Sequence, residues 1–226
     1  MTAPAPRQLV LDLPHRAALG AEDFLVSPSN VAAVEMIDAW RDWPRASALV
    51  VGPRQSGKTH LAQVWRLKTG AEVIQASDLT ETDAAGFHGP LVVEDIEAGI
   101  GDERALFHLL NLAREHRRAL LVTSARPPGE LAITLPDLRS RLRALPLIAI
   151  GAPDAELLRA VLVKLFADRQ LTVEPHVIAH VALHMEQSME RASRLVAEID
   201  RRSLATHRRV TRALATEVLA ELSAAD

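Results

Sequence analysis

The sequence predicts an α/β fold, a parallel sheet flanked by helices, followed by a small all-helical domain. Three observations carry that expectation. Short apolar runs alternate with helical patterns up to Gly151, and a glycine-rich loop lies between the first run and the helix after it. From Pro153 onward only helical patterns remain. The expected division is an N-terminal segment 1–22, an α/β domain 23–151 and a helical domain 152–226.

The elements follow in order. In "SPSNVAAVEMIDAWRDWP" apolar residues recur at helical spacing as far as Trp43, where Pro44 ends the pattern; Ser27 or Ser29 is the expected cap, with Pro28 suited to the first turn. "SALVV" is a strand, "GPRQSGKT" a glycine loop, and "HLAQVWRLKTG" a helix closed by Gly70. "AEVIQA" and "GPLVVEDIE" read as buried strands. "DERALFHLLNLAREHRR" is an amphipathic helix with Leu106, Leu109, Leu110 and Ala113 on one stripe. "ALLVTSA" and "LPLIAIG" supply two more strands, and strands alternating with helices imply a parallel sheet covered on both faces. Four helical stretches close the chain: "PDAELLRAVLVKLFADRQ", "EPHVIAHVALHM", "SMERASRLVAEIDRRSLA" and "TRALATEVLAEL".

Composition narrows the function. With 226 residues, 48% hydrophobic and 24% charged, the chain can bury a core without staples. It has no cysteine, which excludes disulfides, thiolate metal sites and cysteine nucleophiles and agrees with a cytosolic setting. No apolar run approaches the ~18 residues of a membrane span, and the N-terminus lacks a basic region followed by a long apolar core. The expectation is a soluble, unexported chain. A net charge of -3 gives the chain as a whole no general pull on nucleic acid, although a local basic face is compatible with it.

The strongest chemical signal is Gly52-Pro53-Arg54-Gln55-Ser56-Gly57-Lys58-Thr59, a complete G-x-x-x-x-G-K-[ST] between a strand and a helix. Its glycines let backbone N–H groups wrap a phosphate, Lys58 neutralises β- and γ-phosphate oxygens, and the Thr59 hydroxyl is placed for Mg²⁺. A glycine-rich turn that happens to precede Lys-Thr is the plainer alternative. His60, first after the motif, is included in the nucleotide set. Downstream, "LVVEDIE" ends an apolar strand on two carboxylates, with Glu94 in the Mg²⁺ position and Asp95 in the position that polarises water. The usual order is Asp first, so the longer carboxylate weakens the case for fast hydrolysis. An acidic pair that merely ends a strand is the alternative.

Beyond the P-loop, three segments resemble the AAA+ domain of the DnaA/Hda family. "DFLVSPSNVAA" (23–33) looks like the adenine-cradling segment, "LLVTSARPPGEL" (120–131) like the sensor 1 strand and loop, and "LPDLRSRL" (135–142) like the segment bearing the arginine finger. "IDRRSLATHRRVTRALATEVL" resembles the end of the lid domain in the family's regulatory branch, after which the initiator itself would continue into a helix-turn-helix module. The resemblance implies that Phe24, Val26 and Asn30 cradle adenine, mostly through backbone contacts and apolar packing, and that Arg141 is the finger. The plainer readings are ordinary core and cap residues, and a solvated basic turn.

Two departures stand out. Ala125 occupies a sensor 1 position where an acidic residue is common, leaving Thr123 and Ser124 as the nearby polar groups. At the sensor 2 position the alignment lands on Glu190, with Arg191 and Arg194 as the alternative phosphate contacts, since a carboxylate would repel phosphate and an arginine attract it. The cluster Arg201, Arg202, Arg208, Arg209 and Arg212 has no aromatic residues interleaved and reads as a solvated face or a surface for an acidic partner.

The N-terminal "RQLVLDLPHR" has two readings. By alternation it is an edge strand with Leu9, Leu11 and Leu13 on one face. Gln8-Leu9-Val10-Leu11-Asp12-Leu13 is also similar to the glutamine-leucine peptide with which the family's regulators plug into the sliding clamp, the β subunit of DNA polymerase III. The resemblance as a whole implies a regulator that carries ADP or ATP with Mg²⁺, docks on the clamp, contacts DNA indirectly through it, and makes DnaA hydrolyse its bound ATP. A cytoplasmic protein at the replisome or nucleoid, with a homodimer as one assembly, is the corresponding expectation. An autonomous AAA+ ATPase such as a helicase loader, and a P-loop kinase of a small molecule, are the rival readings.

Overall fold

The computed structural model describes residues 25–206 and 209–224. The peptide Gln8, Leu9, Leu11, Leu13, together with Phe24 and Arg208, lies outside the described residues.

Five parallel strands form one sheet in the order β2-β3-β4-β1-β5: β1 Ser47–Val51, β2 Glu72–Gln75, β3 Leu91–Glu94, β4 Leu120–Ser124 and β5 Leu147–Ala149. Register sets Leu49 of β1 opposite Val122 of β4 and opposite Leu147 of β5, and Glu94 of β3 opposite Gln75 of β2. The central strands are covered on both sides, which is why they read as unbroken apolar runs. Alternate residues then divide between two cores. Leu49, Val93, Leu120 and Val122 pack with helices 103–116 and 136–143 on one face, while Ala48, Val50, Val92 and Leu121 pack with helices 31–38 and 58–69 on the other.

The helices of the sheet region are α1 Val31–Asp38, α2 Lys58–Thr69, α3 Glu81–Ala85, α4 Glu103–His116 and α5 Pro136–Arg143. α2 ends where expected, on Gly70 in the left-handed region at φ 71°. α4 begins on Asp102, whose carboxylate accepts from the Arg104 and Ala105 N–H groups. Two expectations need correction at α1. The α-helix stops at Asp38, and 3₁₀ turns replace it over Trp40–Asp42 and Pro44–Ala46. Trp43 leaves the helix because its ring stacks on the fully buried Trp65, 5.5 Å between centroids, while its Nε1–H donates to the Met36 carbonyl at 2.7 Å. The capping position is Asn30, while the Ser27 and Ser29 hydroxyls bond each other at 2.7 Å. The helical patterns read from the sequence include neither α3 nor α5, although Thr80 and Asp83 form a capping box at the start of α3.

The C-terminal helices are α6 Ala155–Asp168, α7 Pro175–His184, α8 Met189–Thr206 and α9 Arg212–Ala224. Leu158, Leu162, Phe166, Val181, Leu195, Val196, Ile199 and Val218 form their own buried core, separate from the two cores against the sheet. Asp154 caps α6 by accepting from the Leu157 N–H at 2.8 Å and also accepts from the Ser29 N–H at 3.3 Å, tying the start of these helices to the loop before α1. No helix among the described residues is long and apolar enough to cross a membrane.

Candidate nucleotide-binding site

The P-loop follows β1 at the carboxyl end of the sheet, beside β4 and one strand from β3. Ligands collect at that end of a parallel sheet because successive connections diverge there and leave a crevice. Gly52 is packed tightly: a Cβ there would lie 2.5 Å from the Ile150 carbonyl oxygen and 2.7 Å from Ser56 Oγ. Gly57, at φ 98°, precedes α2 and would carry a Cβ into open space. Gln55 is left-handed as well, at φ 65°. The left-handed residues Gln55 and Gly57 thus bend the loop tightly ahead of α2.

Lys58 is buried, 6% exposed, and its Nζ donates to the Gly52 and Pro53 carbonyls at 2.9 and 3.0 Å. Burial lowers its pKa, against the opposing pull of Glu97, Asp95 and Glu94, with Arg54 adding to the lowering. Ser56 Oγ is buried without a hydrogen-bond partner among the described residues. A tethered ammonium and an unsatisfied hydroxyl at the start of α2 suit a phosphate. Pro53, Arg54, Thr59 and His60 are exposed around the loop.

Glu94 lies at the end of β3, 7% exposed, with Oε1 buried and without a hydrogen-bond partner among the described residues. Its other interactions are with the Thr59 hydroxyl and with Gln75, whose Nε2–H donates to Oε2 at 3.2 Å. Burial and neighbouring Asp95 raise its pKa, while those hydrogen bonds and Lys58 oppose the rise. A spare carboxylate oxygen beside a threonine hydroxyl suits a hard divalent cation such as Mg²⁺. Asp95 adopts φ 57°, ψ 50°, and its N–H donates to Thr123 Oγ1 at 3.0 Å. Thr123 thus positions the backbone of Asp95. Ser124 Oγ instead closes its own loop, donating to the Arg126 carbonyl at 2.6 Å.

At the loop before α1, Val26 packs against the α1–α2 core, and Asn30 is spent on the turn: Oδ1 accepts from the Ser27 N–H at 2.9 Å and Nδ2 donates to the Leu25 carbonyl at 3.0 Å. Asn30 accordingly shapes the loop. The C-terminal helices reach the P-loop through Gln55, which donates to the Glu190 carboxylate and accepts from the Ser188 hydroxyl. Arg194 is ion-paired with Glu190. Arg191 is turned toward Glu186, at 3.1 Å, and the Leu222 carbonyl, at 3.1 Å. Of the three residues at the expected sensor 2 position, Glu190 bonds a P-loop side chain, that of Gln55.

Arg141 lies elsewhere. On α5, its guanidinium sits 5.9 Å from the Phe107 ring and lines an open cavity of about 470 Å³ with Arg45, Asp137, Ser140 and Ala144. Arg45 precedes β1 whereas the P-loop follows it, and the five residues of β1 span roughly 15 Å. The cavity is thus at the opposite end of the sheet from this chain's own P-loop.

Sequence reasoning missed Gln75, Glu97, Ser188 and Arg45. Glu97, whose Oε2 is buried and without a partner among the described residues, is the carboxylate acting most strongly on Lys58; its place in "EDIE" is a visible signal. Gln75 and Ser188 become relevant only through strand register and helix docking.

No protein-family model matches the chain. Among curated proteins, the chromosomal replication initiator protein DnaA of Lachnoclostridium phytofermentans is 27% identical over 139 residues, 60% of this chain and 31% of that protein. The chain thus spans about a third of the length of that relative. Among solved structures, domain III of Thermotoga maritima DnaA matches with a TM-score of 0.74 at 20% identity, covering 88% of this chain and 94% of that one. AMPPCP-bound DnaA from Aquifex aeolicus matches with a TM-score of 0.65 at 18% identity, covering 78% and 63%. The Thermotoga maritima RuvB Holliday junction branch migration motor matches at 0.64 and 18%, covering 78% and 61%. The fold is that of domain III of Thermotoga maritima DnaA, a parallel five-stranded sheet with flanking helices followed by helices alone.

Proposed function

We propose that this chain is a nucleotide-carrying AAA+ regulator of replication initiation, of the Hda kind, that docks on the DNA sliding clamp and stimulates ATP hydrolysis by DnaA. The observation that carries this reading is the separation of two sites. Gly52 to Thr59, with Glu94, supplies a cradle for ADP or ATP and Mg²⁺ at one end of the sheet, while Arg141 lines a cavity at the other end. A guanidinium so placed cannot serve its own P-loop and is free to meet a phosphate on another molecule.

Within the chain's own site, Lys58 and the loop backbone bind phosphate, and Thr59 and Glu94 hold the metal, which neutralises phosphate charge when bound. Val26 and the turn closed by Asn30 carry the adenine side. In trans, Arg141 stabilises charge developing on the partner's γ-phosphate, a contribution worth roughly 10³ to 10⁵ in rate. Gln8, Leu9, Leu11 and Leu13 bring it to clamp-loaded DNA in the cytoplasm. The test is hydrolysis of DnaA-bound ATP in the presence of loaded clamp: Arg141→Ala is expected to return the rate to that of DnaA alone, and an unchanged rate removes the finger. Gln8→Ala with Leu11→Ala is expected to abolish clamp capture in a pull-down.

A second reading, an autonomous ATPase, is favoured by the Thr123 bond that positions Asp95 beside the P-loop. It predicts turnover of ATP by the purified chain that Asp95→Asn abolishes.

A further inference from the structure

Arg141 shares its cavity with a second guanidinium that no sequence motif marks. Arg45 and the next residue, Ala46, both occupy the left-handed region, at φ 59° and φ 54°. L residues avoid this conformation, and it persists only where the surroundings hold it. Here the Ala46 N–H donates to the Trp43 carbonyl at 3.0 Å and Ser47 Oγ donates to the Arg45 carbonyl at 3.2 Å, while Trp43, Ala46 and Ser47 are all buried. The result is an exposed Arg45 side chain carried on a backbone locked from both sides.

We propose that Arg45 is a second trans-acting cation, which with Arg141 clamps the phosphates of a nucleoside triphosphate bound to a neighbouring AAA+ molecule. The proposal rests on the reading of Arg141 given above and adds a residue to it. Neither guanidinium has an ion pair with a carboxylate among the described residues, although Asp137 lines the same cavity. The arginines of α8 behave differently: Arg191, Arg194, Arg201 and Arg202 each pair with a glutamate. Two unpaired guanidiniums beside one carboxylate leave the cavity net positive, and bringing like charges together is favourable only with an anion between them. The guanidinium fork matches phosphate oxygens bidentately. At about 470 Å³ the open cavity admits a polyphosphate end. Its distance from the chain's own P-loop requires that the phosphate arrive on another molecule.

The experiment uses the full chain with ATP-loaded DnaA and clamp loaded on DNA, and compares wild type with Arg45→Ala, Arg45→Gly, Arg45→Lys and Arg141→Ala. Arg45→Ala and Arg45→Gly are expected to lower the maximal rate of DnaA-bound ATP hydrolysis by about 10- to 100-fold, the loss of one charge-assisted contact, while the half-saturating concentration of the chain changes by less than about two-fold. Arg45→Lys is expected to fall between them and wild type, since an ammonium keeps the charge without the fork. Glycine accepts φ 59° without strain, so a rate loss in Arg45→Gly at unchanged Tm cannot come from misfolding. An unchanged maximal rate in Arg45→Gly, with hydrolysis lost in Arg141→Ala, overturns the role of Arg45 alone. Unchanged rates in both overturn the finger as well. A loss that appears only as weaker half-saturation, restored at high DNA concentration, assigns Arg45 to DNA phosphates and also overturns the proposal.

Discussion

The buried position of Glu94 carries a cost. It is buried, one carboxylate oxygen lacks a partner among the described residues, and its pKa is raised above the ordinary 4.5 by burial and by Asp95. A raised carboxylate binds more protons folded than unfolded, so its contribution to stability is greatest below its ordinary pKa and declines as pH rises through the raised one. At pH 7, Glu94→Gln is therefore expected to raise the Tm of the nucleotide-free protein by about 2–4 °C, the shift that ~1 kcal/mol produces in a chain of this length. The same change is expected to weaken Mg²⁺-dependent nucleotide binding. Calorimetric scans with and without nucleotide read both effects, and a lowered Tm without nucleotide would mean that the charge is already compensated. The carboxylate pair at the end of an apolar run was legible in sequence, because adjacency in a strand is local. Gln75 was not, because its reach to Glu94 depends on the register of β2 against β3.

At the scale of elements, α8 and α9 are joined by Arg202, which pairs with Glu198 on its own helix and Glu221 on the next. Hydrogen bonds from Arg201 and Arg202 hold Glu198 down at about 2. A depressed carboxylate stabilises the fold above its ordinary pKa of 4.5 and loses that contribution as pH falls through the depressed value. Acid unfolding of the helical part between pH 4.5 and about 2 is therefore expected to be shallower in Glu198→Gln, measured as helicity by circular dichroism. An identical acid limb would show that solvent screens the pairs to nothing. Arg201 and Arg202, which read in sequence as part of a basic strip, are largely neutralised. Glu198 at helical spacing from both was a visible warning, whereas Glu221 becomes a partner only when α9 folds back.

Among the described residues, polar links between the sheet-bearing body and the C-terminal helices include Asp154 to Ser29, and Gln55 to Ser188 and Glu190. The second link sets a carboxylate against the P-loop where the family resemblance implies a phosphate contact. Glu190→Arg removes that negative charge and supplies a fork for phosphate, so nucleotide affinity by titration calorimetry is expected to rise about 10-fold. Unchanged affinity would mean that α8 does not reach bound phosphate.

The sequence by itself determined the parallel sheet, the strand-loop-helix placement of Gly52 to Thr59, and most of the helices. Each is written in local periodicity or in residues adjacent along the chain, which hydrophobic burial and glycine geometry read directly. Tertiary structure decided the early end of α1, the use of Asn30 as a turn former, the partnership of Gln75 with Glu94, the placement of Glu190 on the P-loop and the meeting of Arg45 with Arg141. In each of these, packing of distant segments chose among side-chain partners that local sequence left equivalent.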